Sequence, residues 1–149
     1  MQYTALDILT TPTPLIYRVG TFDYGIIQTA FTTNEYRLKK AKVYKPRSVV
    51  IDIGAHIGAF SALAASLGFT VYGYEAHPEN MTLYTYNAVL IERMYGTTVY
   101  PHWGAVGCSG VVVLPKDFPT QWRMANTGGT SPTVEEALDG DVYRIPGCD

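Results

Sequence analysis

Asp52, Gly54, His56, Gly58, Ser61 and Glu75 are the residues whose types and spacing can do chemistry together. Gly54 and Gly58 stand between an apolar run that ends in an acid and a segment of helical periodicity, the pattern of a strand that bends sharply into a helix. A helix that starts at such a turn points its free N–H groups at it, so polar or anionic parts of a ligand are favoured there. Glu75, about 20 residues further on and at the end of a second apolar run, is placed to accept hydrogen bonds from both hydroxyls of a ribose. The chemistry described is recognition of a nucleoside-containing cofactor.

The elements that must position these residues follow from the same stretch. Val49-Val50-Ile51 is a short β-branched run, expected as a buried strand, and Val71-Tyr72-Gly73-Tyr74 as a second. Ala59 to Leu67 carries the helical spacing between them, which makes one βαβ unit. Three readings of its turn are open from the residues alone: a dinucleotide site, a site for a nucleoside cofactor without a pyrophosphate, or glycines that serve only a tight packed turn. The dinucleotide fingerprint G-x-G-x-x-G, aligned on Gly54, meets His56 and Ala59 at its second and third glycines, and a side chain as large as His56 obstructs close approach of a pyrophosphate.

Asp52 to Ser61 reads D-x-G-A-x-x-G-x-x-[ST] and resembles the first motif of class I S-adenosylmethionine-dependent methyltransferases. The longer phrase from Val49 to Asn80 resembles the FkbM-type methyltransferases: Gly54, Ala55, Gly58, Ser61, Glu75, Pro78 and Asn80 stand at matching positions. His56 stands where that family usually has Asn, and Ala76 where it usually has Pro. The similarity continues through Arg18 to Asp23, Glu35-Tyr36 and Asn126 to Gly129. The resemblance implies an α/β, Rossmann-like doubly wound sheet, S-adenosyl-L-methionine as cofactor, and methyl transfer to a hydroxyl of a small molecule or saccharide. It implies a cofactor-binding set of Asp52, Gly54, Ala55, His56, Gly58, Glu75 and Ala76, with Ala105 and Gly104 flanking the adenine. It also makes Asp23 and Tyr36 candidates, because a leader in such proteins can cover the cofactor. No catalytic base is assigned; Asp52 and His56 are the nearest options for an oxygen nucleophile.

Two domains are expected: a leader over residues 1–45 and the Rossmann-like part over 46–149. Residues 1–14 read as an extended or poorly ordered lead, Leu15–Val19 and Gly25–Ala30 as strands, and Tyr36 to Lys40 as a short helix started at Thr33-Asn34. Pro78 starts a helix that Gly96 stops, with Leu83, Tyr84, Ala88, Ile91 and Met94 as its buried stripe and Asn87 in a packing or capping role. His77 reads as a surface histidine and Trp103 as a core tryptophan. A third strand is expected over Thr97–Pro101, a β-hairpin insertion from Ala105–Gly107 and Gly110–Leu114, and a helix over Thr133–Leu138 capped by Thr133.

Composition bounds the function. A net charge of −2 without a long charge run argues against nucleic-acid binding through a basic patch. Cys108 and Cys148 form no C-x-x-C pair and have no histidines at ligand spacing, so no metal site is expected. Neither a signal peptide nor a membrane span is read, which makes a cytoplasmic enzyme the expectation. A full sheet of this kind needs about seven strands and roughly 200 residues. The resemblance implies that the chain, at 149 residues, stops at Asp149 where a fourth core strand begins. Truncation is therefore expected, with homo-oligomerisation through an exposed sheet edge as its consequence.

Overall fold

The structure, a computed structural model, describes residues 5–33, 35–38, 48–107, 110–115, 133–134 and 142–148. Its centre is a parallel sheet built from β3 (Val49–Ile53), β4 (Thr70–Glu75) and β5 (Val99–Trp103) in that order. Two crossover helices connect them, α2 (Ala59–Ser66) and α3 (Pro78–Tyr95). Right-handed crossovers that step in one direction across a sheet put both helices on the same face. The burial pattern agrees: Val71, Gly73 and Glu75 of β4 are buried toward the helices, while Thr70, Tyr72 and Tyr74 alternate to the other side.

The helical face is closed by a precise fit around one side chain. Tyr84 of α3 is fully buried and lies over two glycines, Gly58 at the start of α2 and Gly73 in β4. A Cβ at Gly58 would stand 2.7 Å from the Tyr84 ring, and one at Gly73 would overlap its hydroxyl. The small residues Ala59, Ala62, Ala64 and Ala65 let α2 sit deep against sheet and neighbours, so that almost its whole surface is buried. The buried stripe of α3 runs through Leu83, Tyr84, Ala88 and Ile91 as expected, but Met94 is exposed. The step of four from Ile91 falls on Tyr95, which packs against the core in its place.

The leader departs most from expectation. Ala5–Leu9 is a strand, β1, paired antiparallel with β2 (Leu15–Val19), rather than a loose lead. Residues 23–32, expected in part as a strand, form helix α1 (Asp23–Thr32). Asp23 in its first turn suits the helix dipole, and Ile27 and Ala30, three apart, supply the buried stripe; packing overrides the strand preference of Ile26-Ile27. Residues 35–37 are turn and coil, Leu38 packs against the core, and Asn34, Lys39 and Lys40 lie outside the described residues. Leu15 and Ile27 share one apolar cluster with Ala62, Val71 and Tyr84, so leader and sheet have a common core.

After β5 the chain makes a second, small sheet. β6 (Ala105–Val106) and β7 (Val111–Pro115) do not pair as a hairpin. β9 (Val142–Cys148) lies between them, parallel to β6 and antiparallel to β7, and β8 (Thr133–Val134) flanks β7. The two-residue link at Cys108-Ser109 read as a turn, yet Gly107 donates to the Cys148 carbonyl and Gly147 to that of Gly110. Thr133 therefore sits in a strand rather than at a helix cap; the remainder of that expected helix, residues 116–132 with Asn126 to Gly129, and Cys108 lie outside the described residues. The third core strand begins at Val99, two residues later than expected, and no helix of the described residues is long and apolar enough to cross a membrane.

The slot around Tyr84 yields a direct test. Gly73→Ala is expected to lower unfolding free energy by about 2–3 kcal/mol in urea titration, because the added methyl overpacks a closed site. Gly25→Ala, in α1 where a Cβ meets nothing within 4 Å, is expected to be neutral or stabilising by up to about 1 kcal/mol.

Candidate functional site

The turn between β3 and α2 is left-handed at three residues: Gly54 (φ 79°), His56 (φ 55°) and Gly58 (φ 95°). Glycine is free to adopt this conformation, and His, with Asn and Asp, is among the few side chains that tolerate it. That accounts for His56 at a position where the resembling family has Asn. The Gly54 and Ala55 amides both donate to the Tyr74 carbonyl, at 2.8 and 2.9 Å, which folds the turn back onto β4.

Glu75 is the strut between this turn and the next. One carboxylate oxygen accepts from the His56 amide and the other from the His77 amide, each at 2.7 Å. The carboxylate is 6% exposed, and burial raises its pKa, offset in part by the hydrogen bonds from His77, His56 and Asn80. His77 is buried, not superficial: its Nδ1 caps α3 by accepting from the Glu79 amide at 3.3 Å. The Gly104 amide donates to the Glu75 carbonyl, and beyond it Ala105 is buried with Ile145, packed by Ala76 and Tyr143. Trp103 is 45% exposed rather than core, and its Nε1 donates to the Ala76 carbonyl at 3.0 Å.

Asp52 faces the helices at the end of β3. The Ser61 hydroxyl donates to its Oδ2 at 2.6 Å. Ser61 has a single proton, so the 2.8 Å contact with Tyr84 is a hydrogen bond donated by the tyrosine. Burial, opposed by Ser61 and helped by the negative charge of Glu75, raises the Asp52 pKa to about 6.

A second network, little of it legible in the sequence, ties the leader to the turn. Arg18 is fully buried and grips Asp23 with both ends of its fork: Nε to Oδ2 at 2.8 Å and Nη2 to Oδ1 at 2.9 Å. Nη2 also donates to Asn80 Oδ1 at 2.9 Å and lies 3.3 Å from His56 Nε2. The two protons of Nη2 go to Asp23 and Asn80, and His56 Nε2 also lies 3.4 Å from Asp23 Oδ1, so the ring sits between the guanidinium and the carboxylate. Burial, opposed by Asp23 and reinforced by the charge of Arg18, lowers the His56 pKa to about 4, which keeps the ring neutral. Burial would raise Asp23, but the hydrogen bonds and charge of Arg18 outweigh it and hold the carboxyl below its ordinary value. Tyr36, the other leader candidate, is exposed and stacks edge-on against Phe60, with centroids 4.5 Å apart.

A cavity of about 900 Å³ opens where α1 faces the turn. Asp52, Gly54, Ala55 and His56 line one side, and Phe22, Ile26 and Ala30 the other. Of the sequence-derived set, Gly58, Glu75, Ala76 and Ala105 are not among its lining residues. The structure thus brings Asp52, Gly54, Ala55, His56, Gly58 and Glu75 together around one turn, and places Ala76 and Ala105 in a separate small apolar cluster with Ile145. Among the described residues no group of three metal-ligating side chains occurs.

No family model and no curated protein matches the chain. Solved structures do. TYW2 of Pyrococcus horikoshii, in complex with MeSAdo, superposes with a TM-score of 0.50 at 21% identity, over 67% of this chain and 36% of that one. A SAM-dependent methyltransferase from Agrobacterium tumefaciens matches with a TM-score of 0.48 at 14% identity, over 70% and 34%. The Pyrococcus abyssi tRNA (uracil-54, C5)-methyltransferase, in complex with S-adenosyl-L-homocysteine, gives 0.45 at 12%, over 67% and 23%. The fold is the α/β, Rossmann-like fold of class I methyltransferases. The chain spans about a third of the length of TYW2.

The raised pKa of Asp52 has a definite sign. An acid raised in the folded state binds its proton more tightly there, so this group adds stability as pH falls from about 6 to about 4 and withdraws it as pH rises through the same window. His56 and His77, lowered by burial, and Asp23, lowered by Arg18, act in the opposite sense, so the observable is a difference. From pH 7 to pH 4 the wild-type chain is expected to gain on the order of 2 kcal/mol relative to Asp52→Asn in denaturant unfolding. A pH-independent difference would reject the assignment.

Proposed function

We propose that the chain binds S-adenosyl-L-methionine and serves methyl transfer to a hydroxyl of a small molecule or saccharide, as an FkbM-type enzyme. The observation that carries this reading is the left-handed Gly54–Gly58 turn held against the Glu75 carboxylate. The carboxylate is held by the His56 and His77 amides, with Asn80 and the Ala76 backbone also bonded to it, and so stands fixed and charged at the tip of β4 where a ribose would be recognised. His56, anchored on Arg18 and Asp23, fills the place where a dinucleotide turn needs its second glycine. The cofactor fits this set without a phosphate to accommodate: Glu75 would hold the ribose, Gly54, Ala55 and Gly58 the turn that adjoins it, and Ala76 and Ala105 the adenine.

When bound, the cofactor supplies a sulfonium-activated methyl group. The contribution of the chain is then to position, exclude water and hold a proton. Of the two groups named for the last role, neutral His56 is committed to Arg18, whereas Asp52 lines the cavity and is ionised above about pH 6, which favours Asp52 as the acceptor of a proton at its carboxylate. The charge balance of the chain favours a small acceptor over a nucleic acid, and the reading places the enzyme in the cytoplasm.

Self-association belongs to the same proposal. β3 is the outer strand of its sheet among the described residues, and Val49, Ile51 and Ile53 are exposed, Ile51 by 64%. An apolar edge of this kind pairs with a second copy. Sedimentation velocity is expected to show concentration-dependent dimers that Ile51→Lys abolishes; a monomer at all concentrations would refute the pairing.

The cofactor is tested by calorimetric titration with S-adenosylhomocysteine and, separately, with NAD. Saturable binding of the first alone is expected, weakened about 10- to 100-fold in Glu75→Gln, which keeps the shape of the strut but loses its charge-assisted hydrogen bonds. Binding of NAD instead, or of neither by a folded sample, would overturn the reading.

A further inference from the structure

The cavity is larger than the cofactor reading requires and has a wall that reading does not use. At about 900 Å³ it stands near the top of the range of about 300–1,000 Å³ for small-molecule sites. Only its turn side carries proposed cofactor residues, and Glu75, the ribose ligand, is not among its lining residues, so the cavity belongs to the reacting end rather than the adenosine end. The opposite wall is α1, a helix that presents Phe22, Ile26 and Ala30, with Phe60 of α2 beside them. Ile27 and Ala30 are the buried apolar residues of α1; Ile26, half-buried, packs against the same core and also lines the cavity, and Phe22 at the helix start is exposed. With the exposed Ile51 and Ile53 of β3 these side chains give the open cavity an apolar wall, a surface shaped for an apolar ligand.

The charges narrow the ligand further. The lining includes two carboxylates, Asp52 and Glu35, and no Lys or Arg among the described residues. Arg18, whose guanidinium reaches His56 of the turn, is bonded to Asp23 and Asn80 and is fully buried. Among the described lining residues a phosphate-bearing acceptor meets two carboxylates and no cation, and the hydroxyls of a sugar, though offered Thr29 and Tyr36, also meet the larger apolar share given by Phe22, Ile51, Ile53 and Phe60. A compact ring system with one polar handle loses nothing on either count.

We infer that the α1 wall of this cavity is an acceptor site, and that it takes a small, largely apolar, neutral or cationic molecule whose single hydroxyl or amine lies toward Asp52. The inference deepens the methyl-transfer reading and rests on it. It selects the apolar branch of the small-molecule acceptors and excludes saccharides and phosphorylated compounds. Ile26 and Phe22 are the specificity-determining residues, and Asp52 is the polar end of the site.

The test uses the purified chain and four ligands measured in parallel by titration: 2-naphthol, glucose, glucose 6-phosphate and S-adenosylhomocysteine. Saturable binding of 2-naphthol alone among the three acceptor probes is expected. Ile26→Glu, which puts a charge into the apolar wall, and Phe22→Ser, at an exposed position that folding tolerates, are each expected to weaken it about tenfold or more. Both variants are expected to keep S-adenosylhomocysteine affinity within about threefold, since neither touches the Glu75 end. Tyr100→Ser, on the far sheet face, controls for adhesion to exposed aromatics and is expected to change nothing. Naphthol binding that Tyr100→Ser removes and the cavity variants do not, or preference for either sugar, overturns the inference and leaves the cofactor reading standing. Loss of S-adenosylhomocysteine binding in the wild-type chain defeats the cofactor reading itself, and the acceptor role falls with it.

Discussion

Two backbone amides on one buried carboxylate hold this molecule's working end in shape. Glu75 ends β4, yet it fixes the turns that leave both β3 and β4, because its oxygens accept from His56 and from His77. A buried carboxylate without partners costs several kcal/mol, so the two N–H groups and the carboxylate determine each other's positions. The rest of the site is arranged outward from that bond. Gly54 and Ala55 close on Tyr74, His77 caps α3, and Gly104 meets the Glu75 carbonyl on the way to Ala105. The amides that Glu75 accepts from build the two turns, and its bond with Asn80 carries the strut on to α3.

The inner face of α3 carries this order to the leader. Asn80, Tyr84, Asn87 and Ile91 lie at steps of three and four on one stripe, and each does a different task. Asn80 meets Arg18, and Tyr84 fills the slot over Gly58 and Gly73. Asn87 accepts from the Ile16 amide at 2.7 Å and donates to the Ile16 carbonyl at 2.9 Å, as a neighbouring strand would, and also donates to the Ile57 carbonyl at 2.8 Å. One amide side chain thus satisfies the free side of β2 and holds the turn that follows His56. The leader is less an appendage than a third layer, fixed to the turn by Asn87 on one side and by Arg18 and Asp23 on the other.

What could be read in the sequence was what is local. The strand, glycine turn, helix, strand and acid from Val49 to Glu75 are encoded by neighbours within one βαβ unit and appear in the expected order. β3, expected as a buried strand, is instead exposed at Val49, Ile51 and Ile53, because it is the outer strand of its sheet among the described residues. The helix from Pro78 to Gly96 is as plain, since its start, stop and stripe are all properties of one segment. Misreadings occur where distant contacts decide. Ile26-Ile27 reads as a strand until α2 is present to bury Ile27 and Ala30. Cys108-Ser109 reads as a hairpin turn until β9, more than thirty residues later, enters between the two strands. Arg18 and Asp23, five apart in a polar-looking lead, carry no sign that they are the buried charge pair at the centre of the site. The proton chain from Tyr84 through Ser61 to Asp52 joins three elements and has no sequence signature beyond the motif's final hydroxyl.

The electrostatics of the site follow from how unevenly its charges are paired. Asp23, Asp52 and Glu75 are all buried, and among the described residues Arg18 is the one buried guanidinium. Arg18 commits to Asp23 in a two-pronged bond, the strongest geometry open to it, and to Asn80. That leaves Asp52 buried without a cation, bonded by Ser61 and repelled by Glu75, and burial therefore raises its carboxyl while Arg18 holds that of Asp23 down. Moving the guanidinium to Asp52 would even out the two acids, but it would release the leader from the turn and neutralise the group that faces the cavity. The unequal pairing keeps one carboxylate, in α1, fixed as structure and the other, at the end of β3, in reach of a proton at ordinary pH. Anchoring α1 while Asp52 stays without a cation needs this asymmetry, and the left-handed, neutral His56, 3.4 Å from Asp23, stands on the anchored side of it.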